Sequence, residues 1–447
     1  MTQHAIQRNK ARKKELFTMT WPMLLGVFSL MSFQLADAAF IAQLGIEPLA
    51  VIGFTIPIYQ VFIGVQVGIG IATTALISQR LGANQESEAR RLGSVILLFG
   101  SLLIISIALL IWLIRAQILD LLGGEASLLP ILSELWSVWL ISAFFGAFAY
   151  FGYSISRAHG NTIIPGMAMV VTSLANIALD PLFIFYFDFG LVGAAYASVI
   201  AFSIGWFMVY PKILAESWLS FETLFGEVLE EISKVLKIAG PAVLSQLLPA
   251  LSAIIATSAV AQFGTETVAA WGLGVRLEFF SVILVLALTM SLPPMIGKNF
   301  GAKNFEEIRQ LIRLSLRFIF ISQLGFAVLL ALFAMPISHV LAGTEPVAAI
   351  FYWYIIFIPI SYAPLGVCIL LISASNAISK AKSALLMSFI RLFICYLPFV
   401  YLGAYLGGLK GLMLGAAIGN TIAGIIAWFI YERAFKQALE ASLRTDT

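Results

Sequence analysis

Apolar residues along this chain come in long unbroken runs separated by short polar breaks, with neither the two-residue alternation of a half-wetted strand nor the one-faced stripe of a soluble helix. Runs of this length predict membrane spans. They are read at 16–43, 48–78, 92–114, 130–153, 162–186, 190–211, 238–262, 268–297, 315–341, 349–373, 383–405 and 410–431. Twelve spans put both ends of the chain on one side. The second and eighth runs are long enough to tilt or to project beyond the lipid.

The polar breaks are lopsided. All but four of the 26 Lys and Arg fall at the ends of the chain or in alternate breaks on the same side. Arg115 and Lys410 alone fall on the other side, while Arg276 and Arg391 lie within spans. This asymmetry predicts cytoplasmic termini and a multi-pass protein of the cell inner membrane. The basic start followed by an apolar run, with Ala36-Asp37-Ala38 as a mock cleavage site, imitates a secretory signal. The run is too long for a signal core and has a counterpart later in the chain, so it is read as the first span.

That counterpart belongs to an internal repeat. Shifting the sequence by 219 residues places Pro22 on Pro241, Gly45 on Gly264, Glu47 on Glu266 and Gly82-Ala83 on Gly301-Ala302. At a shift of 217 or 218, Pro181 meets Pro398 and Gly193 meets Gly411. The predicted fold class is therefore all-α and integral to the membrane, with two pseudo-symmetric six-helix lobes. The expected organisation is an N-terminal segment 1–15, an N-lobe 16–211, a connection 212–237, a C-lobe 238–431 and a tail 432–447. An interfacial helix is expected near Glu222 to Leu236. Two parallel repeats are the usual build of a secondary transporter that binds cargo at the repeat interface.

Composition agrees with this class and excludes others. Hydrophobic residues make up 61% and charged ones 11%, against about 25% charged in a soluble domain. A net charge of +3 gives no reason to expect a nucleic-acid partner. Cys368 and Cys395 sit in apolar runs, and His4, His159 and His339 have no ligand spacing, so neither a disulfide nor a metal centre is expected. No nucleotide-binding motif is present, which leaves an ion gradient as the driver.

The chemistry is sought where the halves differ. Asp37 and Asp180 have Ala256 and Leu397 as their counterparts, and a carboxylate in lipid is costly enough to imply a role. Both lie at similar depth near the outer ends of their spans. Asn176 is one helical turn from Asp180, and Ser198 reaches a similar level. Two carboxylates, an amide and a hydroxyl make a hard-oxygen site for a proton or a small cation such as Na⁺. Pro22 interrupts the hydrogen-bond ladder of the first span about four turns below Asp37, which suggests a hinge or a fixed kink. Gln34, one turn before Asp37, and Met169, two turns before Asn176, are expected to line the path of the cargo that the family resemblance given below implies. Glu278 and Arg391, both at mid-depth, are expected to form a structural ion pair.

The segments "TWPMLLG", "LGIEPLAVIG", "SQRLGANQ" and, above all, "RAHGNTIIPGMAMVVTSLANIALDPLFIF" from Arg157 to Phe185 resemble the multidrug and toxic compound extrusion (MATE) antiporters of the multidrug/oligosaccharidyl-lipid/polysaccharide exporter (MOP) superfamily. The absence of acids from the seventh and tenth spans is similar to the DNA-damage-inducible F (DinF) branch, not the NorM-like one. The resemblance implies cation-coupled efflux of bulky amphipathic, often cationic drugs and dyes. It assigns Asp37, Asn176, Asp180 and Ser198 to the coupling network, with Ser198 in place of the family's threonine, and Pro22 to the bend of the first helix. No cofactor is expected beyond transported H⁺ or Na⁺, and no partners beyond small-molecule cargo and membrane lipids; a monomer is expected. The competing expectations are a lipid-linked oligosaccharide flippase of the same superfamily and an intramembrane aspartyl protease, which needs a Gly-Asp pair that this chain lacks at both positions.

Overall fold

Lipid offers the backbone no hydrogen-bond partner, so a chain that crosses it satisfies its own N–H and C=O groups along a helix. The computed structural model of the chain describes residues 3–222 and 225–444, and every element there is helical. The spans of the first half are α1 (Gln3–Ile41), α2 (Ile46–Gly82), α3 (Glu86–Leu113), α4 (Leu129–Ala158), α5 (Ile163–Pro181) and α6 (Gly190–Ala215). Those of the second half begin with α7 (Phe225–Ala261), α8 (Thr265–Gly301), α9 (Phe305–Leu332) and α10 (Glu345–Ala377). The final stretch, Ala381–Leu443, is long enough for two spans. Gly407 (φ −136°) and Gly408 (φ +59°) leave helical geometry inside it, dividing it into α11 (381–406) and α12 (409–443). Among the described residues, twelve spans thus stand where twelve apolar runs were read. Residues 1–2, 223–224 and 445–447, which belong to the expected N-terminal segment, connection and tail, lie outside the described residues.

The repeat is visible in the backbone. Ile46–Gly82 and Glu86–Leu113, displaced by 219 residues, fall on Thr265–Gly301 and Phe305–Leu332, bound for bound. Short helices follow at matching places, Arg115–Leu121 and Ala334–Leu341. The turns into α2 and α8 use the same left-handed residue, Gly45 (φ +112°) and Gly264 (φ +103°). Two compact units result, Lys14–Val243 and Leu244–Thr447 together with Met1–Lys13. Two α-helices widen locally: α5 continues past Pro181 into a π-turn over Leu182–Tyr186, and α11 carries one over Ile390–Tyr396.

One sequence expectation is corrected here. Among the described residues the interfacial helix expected near Glu222 to Leu236 is not a separate element, because α7 runs from Phe225 to Ala261 without a break. Its start is charged for a different reason. In the first unit, Glu231 bonds Arg80 at 2.5 Å, and Arg91 bonds Glu227 at 2.5 Å and approaches Glu231 at 3.6 Å. Glu231 is 2% exposed and Arg80 8%. The beginning of α7 is thereby fixed to the α2–α3 turn. In the second unit the start of α1 is held in the same way, by a forked ion pair between Arg12 and Glu307.

Breaking a buried pair leaves a charge without compensation, which costs about 3 to 5 kcal/mol. Glu231→Gln is therefore expected to lower thermal stability in detergent by several degrees, with Glu230→Gln, an exposed neighbour, as the neutral control. Equal unfolding midpoints for both variants would remove Glu231 from the stability argument.

Candidate coupling site

The site is assembled on α1, α5 and α6, all in the first unit. Asp180 is fully buried near the end of α5, at 0% exposure, and Asn176 lies one turn earlier at 2%. Helical spacing of four residues places them on one face. The Asn176 amide bridges two groups: its Nδ2 donates to Asp180 at 2.9 Å (Oδ2) and 3.3 Å (Oδ1), and its Oδ1 accepts from Ser198 Oγ at 3.1 Å. This orientation gives both ends of the amide complementary partners. Ser198, on α6, thus completes a hydroxyl–amide–carboxylate chain.

Asp37, on α1, is half-buried. Its charge acts on Asp180 and on the hydroxyl of Tyr59, which itself faces the Gln34 carboxamide. No hydrogen bond joins the two carboxyls, and neither has a basic partner among the described residues. That absence matters. Buried acids that serve only as scaffold in a membrane pair with Lys or Arg, whereas these two share a space with neutral groups alone. Asp37 has no hydrogen-bond partner among the described residues, and the Asp180 oxygens, met only by the Asn176 amide, keep lone pairs that can take up a proton or a small cation.

Of the other candidates, Pro22 sits inside α1, and the helix continues unbroken through it. Its backbone lies against Gly166 of α5: a Cβ at position 166 would stand 2.5 Å from the Pro22 carbonyl oxygen. Gln34 is exposed and remains available to cargo. Met169 does not: it is 1% exposed, and its Sδ packs where a side chain on Gly26 would be. It is a packing residue of the α1–α5 contact, and the correction follows from helix phase, which turns position 169 toward α1. Tyr59 escaped the sequence reading because a lone Tyr in an apolar run carries no distinguishing signal.

The Arg157 motif forms the α4–α5 turn. Arg157 is buried, donates to Ser154 Oγ at 2.8 Å and lies 5.2 Å from the centre of the Tyr150 ring. Gly160 (φ +82°) reverses the chain, and Asn161 Oδ1 accepts from the Ile164 N–H at 3.1 Å to start α5. The motif therefore sets the phase of α5 and, through it, the positions of Asn176 and Asp180. Outside this unit, Glu278 and Arg391 are not in contact: the charge of Arg391 reaches Glu278, but no ion pair or hydrogen bond joins them. The expected bridge fails because Arg391 stands in the π-turn, which rotates the helix face away from the phase an α-helix gives.

Two repeated six-span lobes are the build of a membrane transporter. The family model described as MatE matches residues 22–182 and again 241–402, once in each lobe. The chain belongs to that family of transporters and is not an enzyme. It is 31% identical over 397 residues, 87% of each chain, to a FAD transporter of Shewanella oneidensis. It is 25% identical over 317 residues, 69% of each chain, to the multidrug export protein MepA of Staphylococcus aureus. Among solved structures, the MATE transporter VcmN of Vibrio cholerae in its bent form is 47% identical, with a TM-score of 0.94 over 96% of this chain and 98% of that one.

Proposed function

We propose that the protein exports amphipathic aromatic compounds by antiport against H⁺ or Na⁺, with Asp37 and Asp180 as the ion-binding carboxyls. The observation that supports this reading is the acid pair itself, Asp180 buried and Asp37 half-buried, with no base paired to either among the described residues. Cation uptake from outside and release inside drives cargo the other way as the lobes open alternately to each side. One charge moved through 100 mV supplies about 2.3 kcal/mol, and one pH unit supplies about 1.36 kcal/mol. The carrier works in the inner membrane as a monomer with both termini cytoplasmic, and the transported ion takes the place of any cofactor. The position of the acids in the first lobe favours the DinF-like branch.

Multidrug efflux, as in the MepA relative, is the first reading of the cargo. The FAD transporter likeness covers more of the chain and favours a second, an anionic flavin nucleotide. Proteoliposomes in which a pH or a Na⁺ gradient is imposed alone, loaded in parallel with rhodamine 6G and FAD, test both. Movement of neither compound under either gradient would overturn the antiport reading.

Ser198 gives a smaller, graded test. Its hydroxyl orients the Asn176 amide, and one hydrogen bond is worth about 1 kcal/mol. Ser198→Ala is expected to raise the half-saturating concentration of the driving cation about fivefold, while Ser198→Thr keeps it near the parental value. An unchanged cation dependence in Ser198→Ala would place Ser198 outside the network.

A further inference from the structure

Two helices, α1 and α7, are each divided between the compact units. The division falls between Lys13 and Lys14 in α1 and between Val243 and Leu244 in α7. The opening turns of α1 therefore stand with the second unit, whereas Pro22 and Asp37, further along the same helix, stand with the first. The start of α7 makes the converse exchange. What holds the start of α1 is built locally on α9. Asn304 caps that helix by accepting from the Glu307 N–H at 3.4 Å, which places the Glu307 carboxylate in the first turn, where the helix dipole favours a negative charge. There Arg12 meets it in a fork, Nη2 donating to one oxygen at 2.7 Å and Nε to the other.

The repeat keeps this clasp in both halves and reverses its sign. A shift of 219 residues carries Glu88 to Glu307, Arg12 to Glu231 and Glu15 to Lys234. In the first unit Glu231 meets Arg80 at 2.5 Å and Arg91 at 3.6 Å, and Glu88 approaches Arg80 at 3.9 Å. In the second unit those two arginines are replaced by Asn299 and Gln310, whose amides donate to the Met295 carbonyl at 2.9 Å and to Glu306 at 2.8 Å. Each dock thus suits its own helix start alone. Arg12 set against Arg80 and Arg91, or Glu231 set against Glu306 and Glu307, would bring like charges together, and such repulsion excludes the wrong partner. A chance pairing of surface charges gives no reason for the register to persist while the sign inverts.

We propose that Arg12 and Glu307 are positioning residues of the transport cycle: their ion pair straps the start of α1 to the second unit and stays closed throughout, so that a shift of that unit is drawn along α1 to Pro22 and Asp37. The backbone hydrogen bonds of a helix run along its axis, so a held first turn passes displacement down the same rod that carries the acid. The proposal rests on the export reading above and adds to it the mechanical link between ion uptake in one unit and movement of the other.

The test uses the full-length chain in proteoliposomes, with the buried Cys368 and Cys395 replaced by alanine in parent and variant alike. Arg12→Cys/Glu307→Cys removes the ion pair, and bismaleimidoethane then restores the tie without restoring any charge. Before cross-linking, gradient-driven rhodamine 6G efflux is expected to fall about fivefold, the factor a partly exposed ion pair can sustain, with the unfolding midpoint and dye affinity at the parental values. Cross-linking is expected to return efflux to the parental rate. Arg12→Ala reads the same loss if the cysteine pair does not fold. A cross-linked protein that binds dye but no longer pumps overturns the proposal, because the clasp would then have to open during the cycle. Parental efflux before cross-linking overturns it too, as does a loss of efflux matched by a fall in the midpoint, which is the mark of a purely structural pair. Amide hydrogen exchange over residues 3–13 reads the strap without transport: exchange is expected to quicken in the variant and to slow again on cross-linking, and unchanged exchange counts against the strap. A parent that moves no dye under either gradient strikes the export reading instead, and the exchange result is then judged by itself.

Discussion

Asp180→Asn lowers the cargo gradient that efflux can sustain by a factor of about 50 and leaves a folded protein that still binds cargo; this is the largest functional effect expected of any single replacement. The amide matches the carboxylate in shape, and Asp180 is held by Asn176 at 2.9 Å with no basic partner among the described residues, so the exchange strands no charge. What disappears is the group that takes up and releases the ion. Losing one coupled charge across 100 mV removes about 2.3 kcal/mol of drive, which lowers the attainable cargo gradient by a factor of about 50. Asp37→Asn is expected to act in the same direction. The measurement is dye efflux from proteoliposomes under an imposed gradient, with the thermal midpoint and dye affinity taken on the same preparations. Efflux by both variants at the parental rate would place the coupling elsewhere.

The parts of this molecule that the sequence made legible are those set by local rules. Apolar run length identified the spans because lipid thickness sets it, and the 219-residue shift identified the lobes because both halves keep the same turns, Gly45 and Gly264 among them. Asn176 and Asp180 were readable as neighbours from their four-residue spacing alone. Asp37 was recognisable by cost, since an acid in lipid demands an explanation. Depth then brought it to the same level as Asp180.

What stayed hidden depends on helix phase and on long-range pairing. Met169 looked available to cargo, yet its side chain turns into the α1–α5 contact. Arg391 and Glu278 were matched by depth, but the π-turn at Ile390–Tyr396 shifts the phase of α11 and holds the two charges apart. Polar breaks read as topology signals also contain Arg80–Glu231 and Arg12–Glu307, pairs separated by 151 and 295 residues. Nothing in a charge count predicts such partners. The physical lesson is consistent across these cases: period and hydropathy specify where a helix runs, while single inserted residues and close backbone contacts specify what faces what.

The α1–α5 contact supplies the second large effect, and it separates a working hinge at Pro22 from a fixed kink. Proline inside a helix costs about 3 kcal/mol relative to alanine, so Pro22→Ala is expected to hold or raise thermal stability. If the bend is part of the cycle, efflux falls steeply in that variant although the fold is firmer. If the kink is passive, efflux is unchanged. Gly166 tests the same contact from the other side. Its Cβ would stand 2.5 Å from the Pro22 carbonyl oxygen, and backbone atoms of two packed helices have no flexible end to move aside. Gly166→Ala is therefore expected to force α1 away from α5, with overpacking costing about 1 to 3 kcal/mol and efflux falling with it. Combining the two substitutions decides the matter. Removing the proline ring leaves the carbonyl in place, so the clash persists; a double variant as stable as Pro22→Ala alone would show that α1 already adopts an arrangement in which positions 22 and 166 are apart, and that the close contact is one of two seats for the helix.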